Sequence, residues 1–247
     1  MFPELFRIGD IAVHTYGLMI AIGIILAMIV VKKECRRIGI DGDKVVDTLF
    51  WGIWAGIIGS RILYVLYFPE EFRNNFVEVF KVWKGGLVFH GGIIAAVPVV
   101  IYLLRKHKIE VIKATDAVAL GIPLAHFFGR LGCFSAGCCY GEVCELPWAV
   151  RFTHPLTIAP KNIPLHPTQL YEAFLNLALF IILFVLRKRV KKSGGILGIY
   201  LIGYGSIRFF VELFRGDPRG IYMNLSSAQW ISIAFIVGGI FFLIRKK

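Results

Sequence analysis

Seven apolar runs, each long enough to cross a lipid bilayer, account for most of this chain of 247 residues. A transmembrane helix needs about 20 predominantly apolar residues, so seven such runs leave little sequence for a water-soluble core. The runs are residues 11–31, 45–68, 87–104, 114–134, 168–186, 196–214 and 227–244. The sequence therefore predicts an all-α membrane protein with seven transmembrane helices, folded as a single domain over residues 1–247.

The composition supports a membrane protein and excludes several other classes. Hydrophobic residues make up 57% of the chain and charged residues only 18%, with a mean hydropathy of +0.71. Soluble domains carry about a quarter charged residues. Disordered chains, collagen-like repeats and small disulfide-stapled modules are therefore excluded. Residues 2–10 lack the basic start and the cleavage site of a signal peptide, so we expect the first helix to be retained.

The positive charges predict the orientation of the helices. The connections after the first, third and fifth runs carry five, four and five Lys or Arg residues, and the terminal Arg-Lys-Lys adds three. Basic connections stay in the cytoplasm, so the N-terminus is predicted outside and the C-terminus inside. The net charge of +12 is then a topology signal and a contact for anionic lipids, not a sign of nucleic-acid binding. The long, proline-rich connection 135–167 is predicted to form a small extracytoplasmic cap.

Seven polar side chains inside the spans lie in the outer third of the predicted membrane. Three of them are arginines, each of which costs between about 3 and over 10 kcal/mol in hydrocarbon. They are accompanied by four other polar residues. The group consists of Arg61, Arg130, Arg208, Tyr16, His90, Glu172 and Glu212. Three arginines at one depth predict a shared wet or anionic cavity.

The arginines outnumber the carboxylates at this depth, which favours an anionic ligand. A guanidinium matches phosphate oxygens two at a time, and a lipid phosphate lies at the same depth in the bilayer. An alternative is that Arg61 pairs with Glu172 or Glu212 and serves only to hold helices together. His90, in the motif GGLVFHGG, is a candidate proton acceptor, with a satisfied core histidine as the alternative.

Two further patterns indicate helix packing and helix termini. Asp47 and Asp116 lie near the inner, N-terminal ends of the second and fourth helices, where a carboxylate meets the positive end of the helix dipole, so both are interpreted as caps. Gly52, Gly56 and Gly59 have the spacing that allows two helices to approach closely.

Six blocks in order resemble the phosphatidylglycerol–prolipoprotein diacylglyceryl transferases of bacteria. The resemblance covers nearly the whole chain. The blocks are HTYGLM (14–19), GSRILYVLY (59–67), VWKGGLVFHGG (82–92), GRLG (129–132), HPTQLYE (166–172) and LIGYGSIRFFVELFR (201–215). The resemblance implies an enzyme of the bacterial cytoplasmic membrane. Such an enzyme moves the diacylglyceryl group of phosphatidylglycerol to the lipobox cysteine thiol of a prolipoprotein signal peptide. Glycerol phosphate would be released.

The resemblance also implies roles for individual residues. Arg130 and Arg208 would hold the lipid phosphate, and His90 and Tyr16 would lie at the reaction centre. The predicted catalytic residues are His90, Arg208 and Tyr16. The predicted substrate-binding residues are Arg130, Gly141, Glu212, Arg215 and Arg61. Phosphatidylglycerol, prolipoprotein signal peptides and membrane lipids are the expected partners, without nucleic acid, and no cofactor is expected.

The chain departs from the family in the signature that follows Arg130. The family usually has two asparagines and a glutamate where this chain has Cys133, Ala136 and Cys138. Together with Cys139 and Cys144, these cysteines could be small packed thiols or form a disulfide. Their spacing lacks the CxxC pairs of common zinc sites, so metal is a minor alternative and no metal is expected.

Two other functions remain open from the sequence. A relative of the transferases could move the same lipid group to another acceptor, which the changed signature would allow. A transporter or lipid-binding scaffold with seven helices would instead require polar residues along a path from face to face.

Overall fold

The computed structural model describes residues 3–8, 11–73, 75–217 and 220–245. Within them, seven helices are long and apolar enough to cross a membrane, which confirms the predicted fold class. They are α1 (Thr15–Arg37), α2 (Gly42–Tyr67), α3 (Phe89–Lys106), α4 (Val111–Ala136), α5 (Thr168–Leu186), α6 (Gly195–Glu212) and α7 (Ser227–Ile244). The orientation stays a prediction. Lys246 and Lys247, which contributed to it, and residues 2, 9 and 10 of the N-terminal segment lie outside the described residues.

The helices belong to two compact units. The first unit consists of Met1–Val31 and Thr115–Lys247, and the second of Lys32–Ala114. Helix α1 begins in the first unit and ends in the second. The first unit therefore holds most of α1 and α4 with all of α5, α6 and α7, whereas the second unit holds α2 and α3.

Small residues and one apolar cluster hold the first unit together. A Cβ on Gly198 would lie 3.0 Å from the carbonyl oxygen of Gly239, so α6 and α7 are in backbone contact there. Close approach of this kind is how membrane helices gain packing energy without a hydrophobic drive. The apolar cluster joins α4, α5 and α6. Its buried members are Ala119, Leu120, Leu179, Leu183, Ile196 and Tyr200.

The second unit is built on a close crossing of α2 and α3. A Cβ on Gly59 would lie 2.5 Å from the carbonyl oxygen of Gly91, and one on Gly56 would contact Ala96. The predicted role of the α2 glycines in helix packing is therefore confirmed. Between the two helices the chain forms three short 3-10 segments, Pro69–Phe72, Phe76–Phe80 and Val82–Lys84.

The start of the first apolar run is not helical. Strands β1 (Glu4–Ile8) and β2 (Ile11–His14) pair antiparallel, and α1 begins only at Thr15. The prediction that the first helix starts at residue 11 was therefore wrong. Residues 11–14 pair with residues of β1, and a short apolar stretch does not by itself distinguish a strand from a helix.

The long connection is a folded segment with its own small core. It contains β3 (Val150–Arg151), paired with β4 (Pro164–Leu165). It begins after Ala136, two residues later than the predicted start at residue 135. Phe152 and Leu165 are buried there against Phe134 of α4. A second hairpin, β5 (Ile221–Tyr222) with β6 (Leu225–Ser226), leads into α7.

Two helix caps differ from the sequence interpretation. The N-cap of α2 is Asp41, whose carboxylate accepts 3.1 Å hydrogen bonds from the N–H groups of Asp43 and Lys44. The interpretation of Asp47 as the cap was wrong, because α2 begins five residues earlier. Asp116 caps α6 and not its own helix, accepting from the N–H groups of Gly194 (2.6 Å) and Leu197 (2.8 Å).

Candidate active site

The first unit places two arginines and two glutamates in one contact group at the ends of α4, α5 and α6. Arg130 Nη2 lies 2.8 Å from Glu172 Oε1, and Arg208 Nη1 lies 3.2 Å from Glu172 Oε2. Arg208 Nη2 lies 3.0 Å from Glu212 Oε2, one helical turn along α6. Glu172 thus bridges the two arginines, and the structure brings together Arg130, Arg208 and Glu212 as predicted.

Burial differs between the two charge types in this group. The side chains of Glu172 and Glu212 are only 1% and 3% exposed, whereas those of Arg130 and Arg208 are 20% and 14% exposed. Each guanidinium carries five N–H donors, and the carboxylates engage only some of them. The carboxylates therefore offset the cost of burying the arginines and fix their orientation, while the accessible side of the group is cationic.

A second layer of polar residues supports the charged group and was missed by the sequence reasoning. The Asn176 side chain donates 2.7 Å to the carbonyl oxygen of Glu172, and Tyr204 lies one helical turn before Arg208 on α6. The imidazole of His126 lies 5.0 Å from the Tyr204 ring, centroid to centroid. Each of these residues lies four positions from a charged one, and that helical spacing was the signal available in the sequence.

Tyr16 lines a cleft that Cys138 also lines. The cleft has a volume of about 500 Å³ and is lined by residues near the N-terminal strands, at the start of α1 and around the end of α4, most of them apolar. Tyr16 and Cys138 both contribute to its wall, as does His14. A Cβ on Gly132 would lie 3.2 Å from the Tyr16 backbone, so the start of α1 packs closely on α4.

Gly141 and Arg215 are structural neighbours of one another. They pair as an isolated antiparallel bridge, and a Cβ on Gly141 would lie 2.6 Å from the carbonyl oxygen of His166. The buried Arg215 makes two 2.8 Å hydrogen bonds to Asp217. Burial alone would lower the pKa of Arg215, but the hydrogen bond to Asp217 holds that pKa above its ordinary value.

Three thiols converge between Arg130 and Arg215. Cys133 is buried, Cys138 and Cys139 are half-buried, and their three Sγ atoms lie within 4.8 Å of one another. All five cysteines of the chain are described and all are free thiols. Hydrogen bonds with the Cys133 and Cys138 thiols, together with the positive charge of Arg215, lower the pKa of Cys139.

The second unit contains the other two predicted site residues. Arg61 is buried and donates to four backbone carbonyls, those of Glu78 (2.6 Å), Val79 (2.8 Å), Gly85 (2.8 Å) and Gly86 (3.0 Å). The alternative was a pairing of Arg61 with Glu172 or Glu212. Glu172 contacts Arg130 and Arg208, and Glu212 contacts Arg208. The contacts of Arg61 favour a structural role, and its substrate-binding role stays a prediction.

His90 lies in the first turn of α3 and is exposed. The glycines that follow it serve helix packing, since Gly91 and Gly92 face Gly59 and Gly56 of α2. Its imidazole is therefore accessible at a helix start that is fixed by the α2 crossing. That His90 and the first-unit arginines share one cavity stays a prediction.

Comparison with known proteins gives one consistent family. The family model for prolipoprotein diacylglyceryl transferases matches residues 3–245. The phosphatidylglycerol–prolipoprotein diacylglyceryl transferase of Clostridium tetani is 39% identical over 98% of this chain and 96% of its own length. The enzyme of that name from Pseudoalteromonas translucida is 36% identical over 98% of this chain and 91% of its length, and transferase 2 of Clostridium perfringens is 34% identical over 95% and 91%.

Proposed function

The chain belongs to the prolipoprotein diacylglyceryl transferase family, and from this premise we propose that it transfers the diacylglyceryl group of phosphatidylglycerol to prolipoproteins. The acceptor is the thiol of the lipobox cysteine in the signal peptide, and glycerol phosphate is released. The chain is a multi-pass membrane protein, and its place of action is the bacterial cytoplasmic membrane.

The observation that carries this proposal is the arginine pair held by Glu172. A phosphodiester in the outer leaflet meets guanidinium groups whose carboxylate partners are buried behind them. Arginine can donate two parallel hydrogen bonds to phosphate oxygens, which a lysine cannot. Arg130 and Arg208 come from α4 and α6, so they can contact different oxygens of one phosphate.

The same pair supports the departure of the leaving group. When the acceptor sulfur attacks the glyceryl carbon, the S–C bond forms, the C–O bond to the phosphate breaks, and the phosphate takes the electron pair. Negative charge therefore grows on the oxygen beside the arginines. Preorganised donors at developing charge are the largest single contribution in many enzymes. Glu212 keeps Arg208 in place while this happens.

The acceptor thiol must lose its proton before it attacks, because the thiolate is the nucleophile. His90 is the proposed base, since imidazole is the usual proton acceptor near neutral pH. Tyr16 lies in the wall of the cleft of about 500 Å³, so it is proposed to position the acceptor. Gly141 and Arg215 support the site by fixing the segment that follows α4 to the end of α6.

The direct test uses purified full-length protein in detergent or vesicles with labelled phosphatidylglycerol. A synthetic lipobox peptide is the acceptor, and the same peptide with serine in place of the cysteine is its control. We expect a thioether product, detected by mass, and release of glycerol phosphate only with the cysteine peptide. Labelled lipid that stays intact with the cysteine peptide would contradict the proposal.

A second candidate is the transfer of the same lipid group to a different acceptor. The observation that favours it is the replacement of the family's polar signature residues by Cys133, Ala136 and Cys138. In the same assay, consumption of phosphatidylglycerol with other thiols but not with lipobox peptides would support this candidate over the first.

A further inference from the structure

The three thiols of Cys133, Cys138 and Cys139 form a group that the proposed mechanism does not use. Their Sγ atoms lie within 4.8 Å of one another, although the residues are not in a CxxC spacing. Around a tetrahedral zinc ion, a Zn–S bond of about 2.3 Å corresponds to sulfur atoms about 3.8 Å apart. Three sulfur atoms already gathered at this scale need only small movements to share one ion.

The backbone brings these sulfur atoms together at a local conformational cost. Gly137 and Cys139 both have positive φ, +72° and +62°, and the second value is unusual for a residue with a side chain. The resulting turn folds Cys138 and Cys139 back onto the last turns of α4, where Cys133 lies. Such a conformation persists only where the surroundings enforce it, and it is common at functional sites.

Two side chains from the first turn of α5 fix the backbone of Cys138 and Cys139 by hydrogen bonds. The Gln169 side chain donates 2.8 Å to the carbonyl oxygen of Cys138, and the Thr168 hydroxyl donates 2.8 Å to that of Cys139. The Gln169 and Thr168 side chains are both buried. The positions of the two cysteines are therefore set by tertiary hydrogen bonds and not only by the flexible chain that links them.

Positive charge surrounds the thiols, as a thiolate site requires. Arg130 Nη1 lies 4.0 Å from the Cys133 sulfur, and the positive charge of Arg215 acts on Cys139. A divalent ion with three thiolates carries one net negative charge, which these guanidinium groups can offset. Cys138 also lines the cleft that contains Tyr16, so one side of the group is open to a ligand.

We propose that Cys133, Cys138 and Cys139 bind one soft divalent cation of the zinc class, whose fourth position, open to the cleft, takes the acceptor thiol. Catalytic zinc sites have three protein ligands and one open position, whereas structural sites have four ligands. A thiol that coordinates such an ion is deprotonated outright. Its proton passes to His90 or to solvent, and the sulfur then forms the S–C bond while the C–O bond to phosphate breaks. This inference rests on the proposed function, whose acceptor it specifies.

The first experiment measures metal binding alone. Purified full-length protein is reduced, stripped with a chelator and titrated with Zn²⁺ against a competing indicator dye. We expect one high-affinity equivalent per chain. Cys133→Ser, Cys138→Ser and Cys139→Ser should each weaken binding by at least about tenfold. The matched control is Cys144→Ser, which changes a buried cysteine of the same segment that is outside the group.

Two measurements on the unmodified protein avoid dependence on the folding of the variants. Bound Zn²⁺ should protect three of the five thiols from alkylation. In protein loaded with Co²⁺, the thiolate absorption should change on addition of the cysteine lipobox peptide but not of its serine counterpart. Absence of a high-affinity equivalent overturns the proposal, as does a disulfide within the group in the protein as isolated. A spectrum unchanged by the cysteine peptide overturns the assignment of the fourth position.

The failure of this inference can be distinguished from failure of the proposed function. Chelator-stripped protein that transfers the diacylglyceryl group at an unchanged rate would overturn the metal site and leave the proposed function intact. In that case Cys133→Ser and Cys138→Ser should be tolerated, as expected for thiols that only fill space. Protein that binds Zn²⁺ and the peptide thiol but never consumes phosphatidylglycerol would overturn the function instead.

Discussion

Arg61 in the second unit and the Arg130–Arg208 pair in the first lie at the same predicted depth, yet their partners are of different kinds. Arg61 donates to four backbone carbonyls and lies over the rings of Tyr64 (5.6 Å) and Phe72 (5.1 Å). The pair instead contacts the carboxylates of Glu172 and Glu212.

The difference shows how one residue type serves two purposes in a membrane. The guanidinium of Arg61 donates to four backbone carbonyls of the connection between α2 and α3. Its charge therefore holds that connection in place. Two carboxylates shared between two arginines leave donors available, so that the pair can accept a further anion. Counting arginines and carboxylates at one membrane depth does not distinguish a structural arginine from a ligand-binding one. Backbone carbonyls also accept hydrogen bonds from arginine, but they are neutral and are not counted.

The largest effect is expected from His90→Gln, which tests whether the second unit also contributes chemistry. Glutamine keeps a hydrogen-bonding shape but cannot act as a base near neutral pH. We expect the transfer rate to fall by about 100- to 10,000-fold with little change in lipid binding. His107→Gln, at the end of the same helix, is the matched control. A normal rate across the pH range would mean that another group deprotonates the thiol.

A slightly smaller effect is expected from Arg130→Lys and Arg208→Lys. Lysine keeps the charge but loses the planar fork, so each variant should lose about 100- to 1,000-fold in rate while still folding. The rate is measured with labelled phosphatidylglycerol, and folding by elution and thermal melting. Arg151→Lys, in which the native arginine donates to the Asn162 carbonyl at the surface, is the control. Near-normal turnover in both variants would make the pair structural.

Arg61→Lys should affect stability more than rate, which is the reverse of the pattern for the pair. Lysine cannot reach all four carbonyls, and a hydrogen bond to a charged group is worth about 1.5–3 kcal/mol. We expect a lower melting temperature and faster proteolysis between α2 and α3, with Arg73→Lys in the same connection as control. A rate loss as large as that of Arg130→Lys would instead support the predicted substrate-binding role of Arg61.

The smallest effects are expected at the helix caps, where the two units again differ. Asp116 caps α6 from α4 and is partly buried, so Asp116→Ala should cost about 1 kcal/mol of stability. Asp41→Ala, at an exposed cap, should cost less. Hydrogen bonds from the Lys44 N–H lower the pKa of Asp41, so its contribution is present above the ordinary carboxyl pKa and is lost as the pH falls. Thermal melts of both variants at neutral and acidic pH measure this order.

The sequence alone determined the membrane architecture and the family. Burial in a bilayer requires long apolar runs, and this requirement is local, so the bounds of α5 and α7 follow directly from the hydropathy of residues 168–186 and 227–244. The six blocks contain the arginines, His90 and Glu172, so these candidate site residues could be named from the sequence. The pairing of β1 with β2 could not be predicted, because the three apolar residues before His14 are too few to show a helical or a strand period.

Only the tertiary structure decided which groups meet. Glu172 is 42 residues from Arg130 and 36 from Arg208, and Asp116 lies 78 and 81 residues from the N–H groups that it caps. No local rule connects such distant positions, and the backbone carbonyls that satisfy Arg61 have no signature in the sequence at all. The same holds for the three thiols, which come together because a left-handed turn at Cys139 and two side chains of α5 place them there.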